Sequence, residues 1–541
     1  MKRVNRFFVP LLALALGIAL GLIALTTPRP APVDSEGFSA IRAREDILRI
    51  AMEPHSVWNQ EKLADVRAFL MERLTGMGLA VETFTYPPIT DSFGHSYHLV
   101  NFSASIPGKS GRSILLVSHY DSSPKKRSDE QEGSRGAADD GYGLSTMLEV
   151  ARILKTREGT LQNGVRFLFT DAEETGLHGA NAEMSRNAAA WSDVDFVINI
   201  EARGIKGPAL MFETGRNNRA TIELFRKARL PFGYSFAVDV YKNMPNSSDF
   251  TKFLNKGYAG INISVLDDLS YFHTPRDNPD NISLSSLQHY GEQVLPIVLA
   301  YAGDSRYTKP GAFESKEDMV YFIWLPGLLV SYPTTVAWIV SGIVLVLFCA
   351  WFLRKVLGKE ASIGQSFLWF LAWLGMAMLA LATGLGTSVL LGKATGIPWK
   401  VTYMLGIPFE RPILWGLVLL AAFMPWFIAF RRAAKGKGNA SLLAGALALN
   451  LVVLVLAHRF LPGASFMFAL PVLACLAGDF MREKTGLDWV VAIPAALVIG
   501  LFLPIVHLVS LALTIGALGI LLILAFLPLS MLGPLVSRPS D

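Results

Sequence analysis

The sequence predicts an α/β domain, with a mostly parallel mixed sheet between helices, followed by an all-α membrane domain of several spans. Between residues 34 and 305, short apolar runs suited to strands alternate with segments of helical periodicity, which is typical of a sheet covered by helices on both faces. Beyond residue 320 the chain becomes a series of long apolar segments. Hydrophobic residues make up 52% of the 541 residues and charged residues only 17%, too apolar for a soluble protein of this length.

The composition also limits the possible classes of function. The net charge is only +5, and we find no basic cluster interleaved with aromatic residues, so the sequence predicts no nucleic-acid partner. The two cysteines, Cys349 and Cys475, both lie inside apolar runs. This excludes a disulfide framework and a cysteine-based zinc site. Any metal must therefore be held by histidines and carboxylates.

The N-terminal segment has the pattern of a membrane anchor. Lys2, Arg3 and Arg6 precede an uncharged run over residues 7–25, and a proline-rich stretch follows it. The run is longer than the core of a cleaved signal peptide and is about long enough to span a bilayer. We therefore predict an uncleaved anchor and linker over residues 1–33. The basic residues place the N-terminus in the cytoplasm, so the following domain is expected on the other side.

Periodicity places the regular elements of the α/β domain, residues 34–305. Helices are predicted over 38–51, 60–75 and 141–154, and strands over 80–86, 97–105, 113–118, 165–170 and 194–200. Sheets of this kind bring their sites to the carboxyl ends of the strands. Side chains that follow the apolar runs are therefore the candidates for chemistry.

The C-terminal domain, residues 334–541, is predicted to contain about seven transmembrane helices, preceded by a linker with an interfacial segment over 306–333. The apolar segments are 334–353, 366–391, 413–430, 441–457, 465–480, 488–506 and 509–533. Alternate connections are richer in lysine and arginine, which places them in the cytoplasm. The sequence thus predicts an integral protein of a bacterial inner or plasma membrane. Both termini would be cytoplasmic, and the α/β domain would lie on the non-cytoplasmic side.

The first candidate site residues follow the predicted strand at 113–118. His119 lies at its carboxyl end, and Asp121 comes two residues later. In a metal site the histidine would bind the metal and the carboxylate would hold the other ring nitrogen. Asp139, in a small-residue stretch before the next helix, is either a carboxylate brought close to the same metal or a helix cap.

Further acids and a second histidine follow later strands. Glu173 and Glu174 come after the strand at 165–170, Glu201 after the strand at 194–200, and His273 lies near residue 270. Beside a divalent cation, one of two adjacent glutamates can bind the metal while the other takes a proton from water. The two histidines and the carboxylates together are the ligand set of a hydrolytic site with two metals about 3.5–4 Å apart.

The series SHYDS, GAADDGYG, DAEETGLHG, NIEARG and YFHTPRD resembles the co-catalytic zinc exopeptidase family of bacterial leucine aminopeptidases, aminopeptidase Y and glutamate carboxypeptidase. With its multispan C-terminal half, the chain is similar to the membrane subgroup that contains the endoplasmic-reticulum metallopeptidase and the vacuolar membrane protease. The resemblance implies the phosphorylase/hydrolase-like fold of zinc exopeptidases and two Zn²⁺ per chain.

The resemblance also implies a role for each candidate residue. Five would bind the two zinc ions, with His119 and Glu201 on one, Glu174 and His273 on the other, and Asp139 between them. Glu173 would be the general base, and Asp121 would orient His119. Two positions depart from the family pattern: Glu201 stands where soluble aminopeptidases commonly carry aspartate, and Tyr142 replaces a serine.

The sequence therefore predicts a membrane-anchored zinc metallopeptidase of the aminopeptidase type. Its partners would be a peptide substrate and the lipid bilayer, and the sequence makes no prediction of oligomeric state. Two alternatives stay open. One is a single-zinc enzyme like the glutaminyl-peptide cyclotransferases, which share similar motifs; the other is a membrane scaffold with a degenerate peptidase domain. The number of bound metals separates the peptidase from the cyclase.

Overall fold

The computed structural model describes residues 2–125, 132–402, 404, 407, 416 and 439–536. The chain divides into two compact units. The α/β unit is Thr26–Pro333, and the helical unit combines Met1–Leu25 with Thr334–Asp541. The first helix, α1 (Lys2–Ala24), belongs to the helical unit.

The α/β unit contains every helix and strand that periodicity predicted for it, with small shifts of their ends. Its elements are α2 (Ala40–Ile50), α3 (Gln60–Gly76), β1 (Val81–Thr90), β2 (Ser96–Ile106), β3 (Ser113–His119), α4 (Gly141–Lys155), β4 (Gly164–Thr170), α5 (His178–Arg186), β5 (Val194–Ala202), β6 (Leu210–Thr214), α6 (Arg219–Phe225), α7 (Ser235–Lys242), α8 (Asp249–Asn255), β7 (Ala259–Val265), α9 (Leu284–Gly303), β8 (Met319–Leu325) and β9 (Leu328–Pro333).

Seven strands form one mixed sheet in the order β1-β2-β4-β3-β5-β7-β6. The central strands β4, β3, β5 and β7 are parallel, and β1, β2 and β6 pair in the antiparallel sense at the two sides. The predicted fold class, a mixed sheet covered by helices, is confirmed. All parallel central strands therefore end at one edge of the sheet, where the candidate residues lie.

Helices cover both faces of the central strands, which explains why these strands are largely apolar. Every residue of β3 is buried. On one face, Leu115 and Val117 of β3 pack with Met184 of α5 and with Phe250 and Phe253 of α8. Helices α4 and α9 also contact β3 and each other. This packing fixes where β3 ends, and so fixes the position of His119.

The segment 306–333, predicted as a linker with an interfacial piece, ends in a two-stranded antiparallel hairpin of β8 and β9. Val320, Tyr321, Phe322 and Ile323 of β8 are at most 1% exposed. The backbone N–H of Tyr321 donates to the Ser235 hydroxyl, 3.0 Å away, at the start of α7. The apolar character of the strand is thus explained by packing inside the α/β unit.

In the helical unit, six helices among the described residues are long and apolar enough to cross a membrane. We number the long helices α10 (Thr334–Leu357), α11 (Ile363–Thr395), α12 (Asn439–Phe460), α13 (Phe466–Thr485), α14 (Ala492–Leu513) and α15 (Leu518–Val536). They correspond to six of the predicted spans. The remaining predicted span, 413–430, lies outside the described residues apart from Gly416.

Helix α1, the predicted anchor, packs closely against α14. A Cβ atom added at Gly17 would lie 2.5 Å from the Cβ of Ile499, and one added at Gly21 would lie 2.7 Å from the Cβ of Leu503. Real side chains do not approach this closely, so glycine is needed at both positions for the helices to meet, as at many helix contacts in membranes. The apolar part of α1, Phe8–Ala24, is shorter than each of the six long helices. Because α1 packs so closely against α14, it is an integral member of the helical unit.

Candidate metal centre

The candidate site lies at the carboxyl ends of the parallel strands, as the sequence predicted. His119 is the last residue of β3, Glu173 and Glu174 follow β4, and Glu201 lies near the end of β5. Because these strands are adjacent in the sheet, their ends converge. His273, in the loop after β7, reaches the same place.

The structure brings the five predicted ligands into two groups that share Asp139: His119, Asp139 and Glu201 in one, and Asp139, Glu174 and His273 in the other. In each group, one ligand atom per residue lies within 4.8 Å of the others. The Nε2 atom of His119 is 3.2 Å from Oδ1 of Asp139, and the Nε2 atom of His273 is 3.3 Å from Oδ2. The two oxygens of one carboxylate therefore face different histidines.

The donor chemistry of both groups fits zinc. Each group offers one imidazole nitrogen and two carboxylates, which are ligands that Zn²⁺ commonly takes. The shared Asp139 fits a carboxylate between two ions. Glu173 belongs to neither group, which leaves its side chain available to accept a proton.

Asp121 contacts His119 through both its backbone and its side chain. The Nδ1 atom of His119 is 2.9 Å from the backbone carbonyl oxygen of Asp121 and 3.4 Å from its carboxylate. A carbonyl oxygen only accepts hydrogen bonds, so Nδ1 carries a hydrogen, and Nε2, on the side of Asp139, is the nitrogen left to bind a metal. The tautomer needed for a metal ligand is thus set by the backbone of Asp121.

The carboxylate of Asp121 also holds the next candidate residues. It accepts the backbone N–H groups of Glu173 and Glu174, at 3.0 and 3.2 Å. Ala172, just before them, has a left-handed backbone with φ of 56°. Asp121 therefore fixes the tight turn that presents the two glutamates. Sequence analysis assigned this residue only to the histidine, because a hydrogen bond to a backbone group leaves no sequence pattern.

The adjacent acids Asp139 and Asp140 have separate roles. Asp139 lies in both ligand groups, whereas Asp140 caps α4 by accepting the Gly143 N–H at 3.2 Å and also accepts the Ser118 hydroxyl. Of the two roles considered for this stretch, Asp139 is placed to bind metal, whereas Asp140 is the helix cap.

Asp277, four residues after His273, holds the loop before α4. Its carboxylate accepts the backbone N–H groups of Ala138 and Asp139, at 2.7 and 3.2 Å. Burial, followed by the charge of Asp139, raises the pKa of Asp277 to about 7. A buried acid on another loop therefore fixes the backbone of the residue shared by both groups.

Tyr142, the bulky replacement in the family pattern, is fully buried and joins three segments. Its hydroxyl donates to the carbonyl oxygen of Ile205 at 2.7 Å and accepts the backbone N–H of Ser283 at 2.7 Å. Its ring packs against Tyr290 of α9, with 5.6 Å between centroids. The phenol thus stabilises the packing of α4 beside the site.

We expect the substitution Tyr142→Phe to lower the free energy of unfolding by about 1–3 kcal/mol, because it leaves the Ser283 N–H and the Ile205 carbonyl without this buried partner. Zinc content should be unchanged, since Tyr142 is in neither ligand group. Chemical or thermal unfolding of the full chain in detergent measures the effect. An unfolding transition identical to that of the wild type would contradict it.

Burial, and to a lesser extent mutual repulsion, disfavours the ionised forms of the acids in the site. Burial, and then the charge of Glu201, raises the pKa of Glu173 well above its usual range, and burial does the same for Glu201. Burial alone would lower the pKa of His273, but the carboxylates of Glu174 and Asp139 raise it to about 9. Such a collection of acids is stabilised by positive charge placed among them. Two divalent cations would supply that charge.

Asp249, at the start of α8, is an acid of the site that the sequence did not assign. It is 1% exposed and accepts the hydroxyl of Thr170 at the end of β4. Burial raises its pKa to about 6. Its place beside the strand that leads to Glu173 depends on the packing of α8 under the sheet, which no local pattern predicts.

Residues 101–298, which lie within the α/β unit, match the sequence model of Peptidase family M28. Human endoplasmic reticulum metallopeptidase 1 is 26% identical over 408 residues, covering 70% of this chain and 44% of that protein. The vacuolar membrane protease of Schizosaccharomyces japonicus is 29% identical over 276 residues, covering 47% of this chain and 30% of that protein. The chain thus spans less than half the length of these relatives. The predicted resemblance is confirmed.

Two solved structures of similar proteins each cover about half of this chain. A glutaminyl cyclase of Porphyromonas gingivalis is 22% identical, with a TM-score of 0.41, covering 49% of this chain and 98% of that one. A Zn-dependent exopeptidase of Parabacteroides distasonis is also 22% identical, with a TM-score of 0.41, covering 48% of this chain and 98% of that one.

Proposed function

We propose that this chain, of which residues 101–298 match the model of Peptidase family M28, is a membrane-bound zinc metallopeptidase with two metal ions and Glu173 as general base. The main support is the shared carboxylate of Asp139, which lies in both groups of possible metal ligands. A single-metal enzyme needs only one such group. The presence of two complete groups favours peptide hydrolysis over cyclisation.

The residues of the site divide the chemistry between them. Bound zinc ions would polarise the scissile carbonyl group and lower the pKa of water. Glu173 takes the proton from the attacking water and delivers it to the leaving amine, so its carboxyl group returns to its starting state. The carboxylate of Asp121 keeps Glu173 in position by accepting the backbone N–H of Glu173.

We further propose that the substrate is a peptide with a free amino terminus. The experiment is to assay the purified full chain in detergent against matched peptides that differ only in N-terminal acetylation and C-terminal amidation. Hydrolysis of only the free-amine peptides supports an aminopeptidase. Cleavage that depends on a free carboxyl terminus would replace this class with a carboxypeptidase, and cyclisation of N-terminal glutamine without hydrolysis would overturn the peptidase assignment.

The chain is a membrane protein, as its six apolar helices and its membrane-protein relatives indicate. We propose that the α/β unit lies on the non-cytoplasmic side of a bacterial inner or plasma membrane. Lysines and arginines support this topology, since Arg354, Lys355, Arg482 and Lys484 end two of the helices. Protease accessibility in intact spheroplasts tests it, and protection of the α/β unit would contradict it.

We expect the purified chain to bind two zinc ions, and a strong chelator to remove them together with all peptidase activity. Zinc, and not magnesium, should restore activity, because histidine nitrogens are ligands that Mg²⁺ seldom takes. Elemental analysis and activity are measured on the same samples. A stoichiometry of one zinc per chain would instead favour the single-zinc alternative, and full activity without metal would contradict the mechanism.

A further inference from the structure

A row of buried polar side chains crosses the sheet beneath Glu201. Asn199 on β5 pairs with Asn262 on β7, and Asn262 pairs with Glu213 on β6. The three residues are 1%, 0% and 6% exposed, respectively. We call Glu201, Asn199, Asn262 and Glu213 the amide ladder. Its far end, Glu213, is absent from both groups of possible metal ligands.

Hydrogen bonds connect the amide ladder from end to end. The Asn199 amide nitrogen donates to Oε1 of Glu201 at 3.2 Å and to the side-chain oxygen of Asn262 at 3.1 Å. The Asn262 amide nitrogen donates to Oε2 of Glu213 at 3.0 Å and also to the hydroxyl of Ser248 at 2.8 Å. Each amide therefore donates toward one carboxylate, while the oxygen of Asn262 accepts from Asn199.

The hydrogen bonds of the amide ladder can all form in only one orientation of the Asn262 side-chain amide. An ionised carboxylate accepts hydrogen bonds and cannot donate them. If the Asn262 amide were turned over, its oxygen would face the Glu213 carboxylate, and its nitrogen would face the nitrogen of Asn199. Buried polar groups without a matching partner are strongly unfavourable. Glu213 therefore fixes the orientation of Asn262, which in turn fixes the donor that Asn199 offers to Glu201.

At the metal centre, this chain of hydrogen bonds orients the carboxylate of Glu201. With Oε1 of Glu201 held by Asn199, the other oxygen, Oε2, lies 3.9 Å from Nε2 of His119, in the same ligand group. Groups that hold a metal ligand commonly change metal affinity 10–100-fold when they are replaced. The contact between Asn199 and Glu201 is of this kind.

We propose that Glu213 is a positioning residue, which acts through Asn262 and Asn199 to hold the Glu201 carboxylate in the orientation that binds metal. The inference rests on the proposed function, in which Glu201 is a zinc ligand. It adds a residue that lies two amides away from the metal centre and outside the family motifs.

The test compares zinc affinities of the full chain in detergent, measured by competition with a chromogenic chelator at pH 8, above the pKa of about 7 that burial gives Glu213. We expect Glu213→Met, which removes the acceptor but keeps the length, to bind one zinc about 10-fold more weakly. Glu213→Gln retains an acceptor oxygen and should rescue affinity to within about twofold of the wild type. A merely structural role would not separate the two variants in this way.

A double-mutant cycle tests the route through the amides. Asn199→Ala should weaken zinc binding at least as much as Glu213→Met, and the double variant should be no worse than Asn199→Ala alone, because residues in one network are not additive. Additive losses would show that Glu213 acts independently of Asn199. The Asn199→Ala variant also gives an answer if Glu213→Met does not fold.

Glu149→Met is the matched control. Glu149 on α4 is a similarly buried carboxylate, with a side chain 4% exposed, but its partners are Arg42 and Arg152. It should lose stability without losing zinc affinity. If wild-type affinity persists in both Glu213→Met and Asn199→Ala, the inference is overturned while the proposed function stands. If the wild-type chain itself binds no zinc, the proposed function fails first.

Discussion

Replacing Glu173 with glutamine is expected to lower kcat for peptide hydrolysis by about 10²–10⁴-fold while both zinc ions stay bound. Glutamine has the same shape but cannot take a proton from water. The backbone N–H of residue 173, which holds the turn through Asp121, is unaffected by the substitution. KM should change little, since the side chain lies outside both ligand groups. Steady-state kinetics and elemental analysis of one preparation measure the two effects.

The neighbouring variant Glu174→Gln is the control, because it has the same chemistry one residue later. Glu174 lies 3.0 Å from Nε2 of His273 and belongs to a ligand group. This variant should lose zinc as well as activity. If Glu173→Gln lost zinc to the same extent, Glu173 would be a ligand, and near-normal hydrolysis by Glu173→Gln would remove it from the mechanism.

Substitution of Asp139 with asparagine should remove both zinc ions and all measurable activity. Asp139 is the residue shared by the two ligand groups, and asparagine replaces one carboxylate oxygen with a nitrogen that donates hydrogen bonds. The change also removes a negative charge from between the two histidines. Elemental analysis after dialysis, together with peptide hydrolysis, gives the result.

The variant His273→Ala is the control for Asp139→Asn. His273 belongs to one group only, so its loss should release one zinc and leave the other bound. Equal zinc contents in the Asp139 and His273 variants would contradict the shared role of Asp139. Unfolding measured by circular dichroism excludes a general loss of structure in either variant.

Much of the candidate site could be predicted from the sequence because strand ends have a local signature. His119 and Glu201 each lie at the end of a largely apolar strand, and parallel strands that end at one edge of a sheet bring such residues together. Glu174 and His273 could be assigned because their motifs match a known family. The structure places all of these in two groups with Asp139.

The supporting contacts could not be predicted, since each joins residues that are distant in sequence. Asp277 holds the backbone of Asp139 across 138 positions, and Asn262 meets Glu213 only because β6 and β7 pair in a particular register. Register and loop packing depend on the whole sheet. The hairpin at 319–333 shows a related difficulty, because an apolar run alone does not distinguish a buried strand from a segment at a membrane surface.

Asp121 connects the two halves of the metal centre thermodynamically. Its carbonyl oxygen fixes a ligand of one group, His119, and its carboxylate fixes the turn carrying Glu174, a ligand of the other. An ion that rigidifies either side therefore leaves less conformational entropy to be lost when the second ion binds. Such linkage is reciprocal, whichever ion arrives first. In the proposed two-zinc centre, the affinities of the two ions are therefore expected to be linked through Asp121.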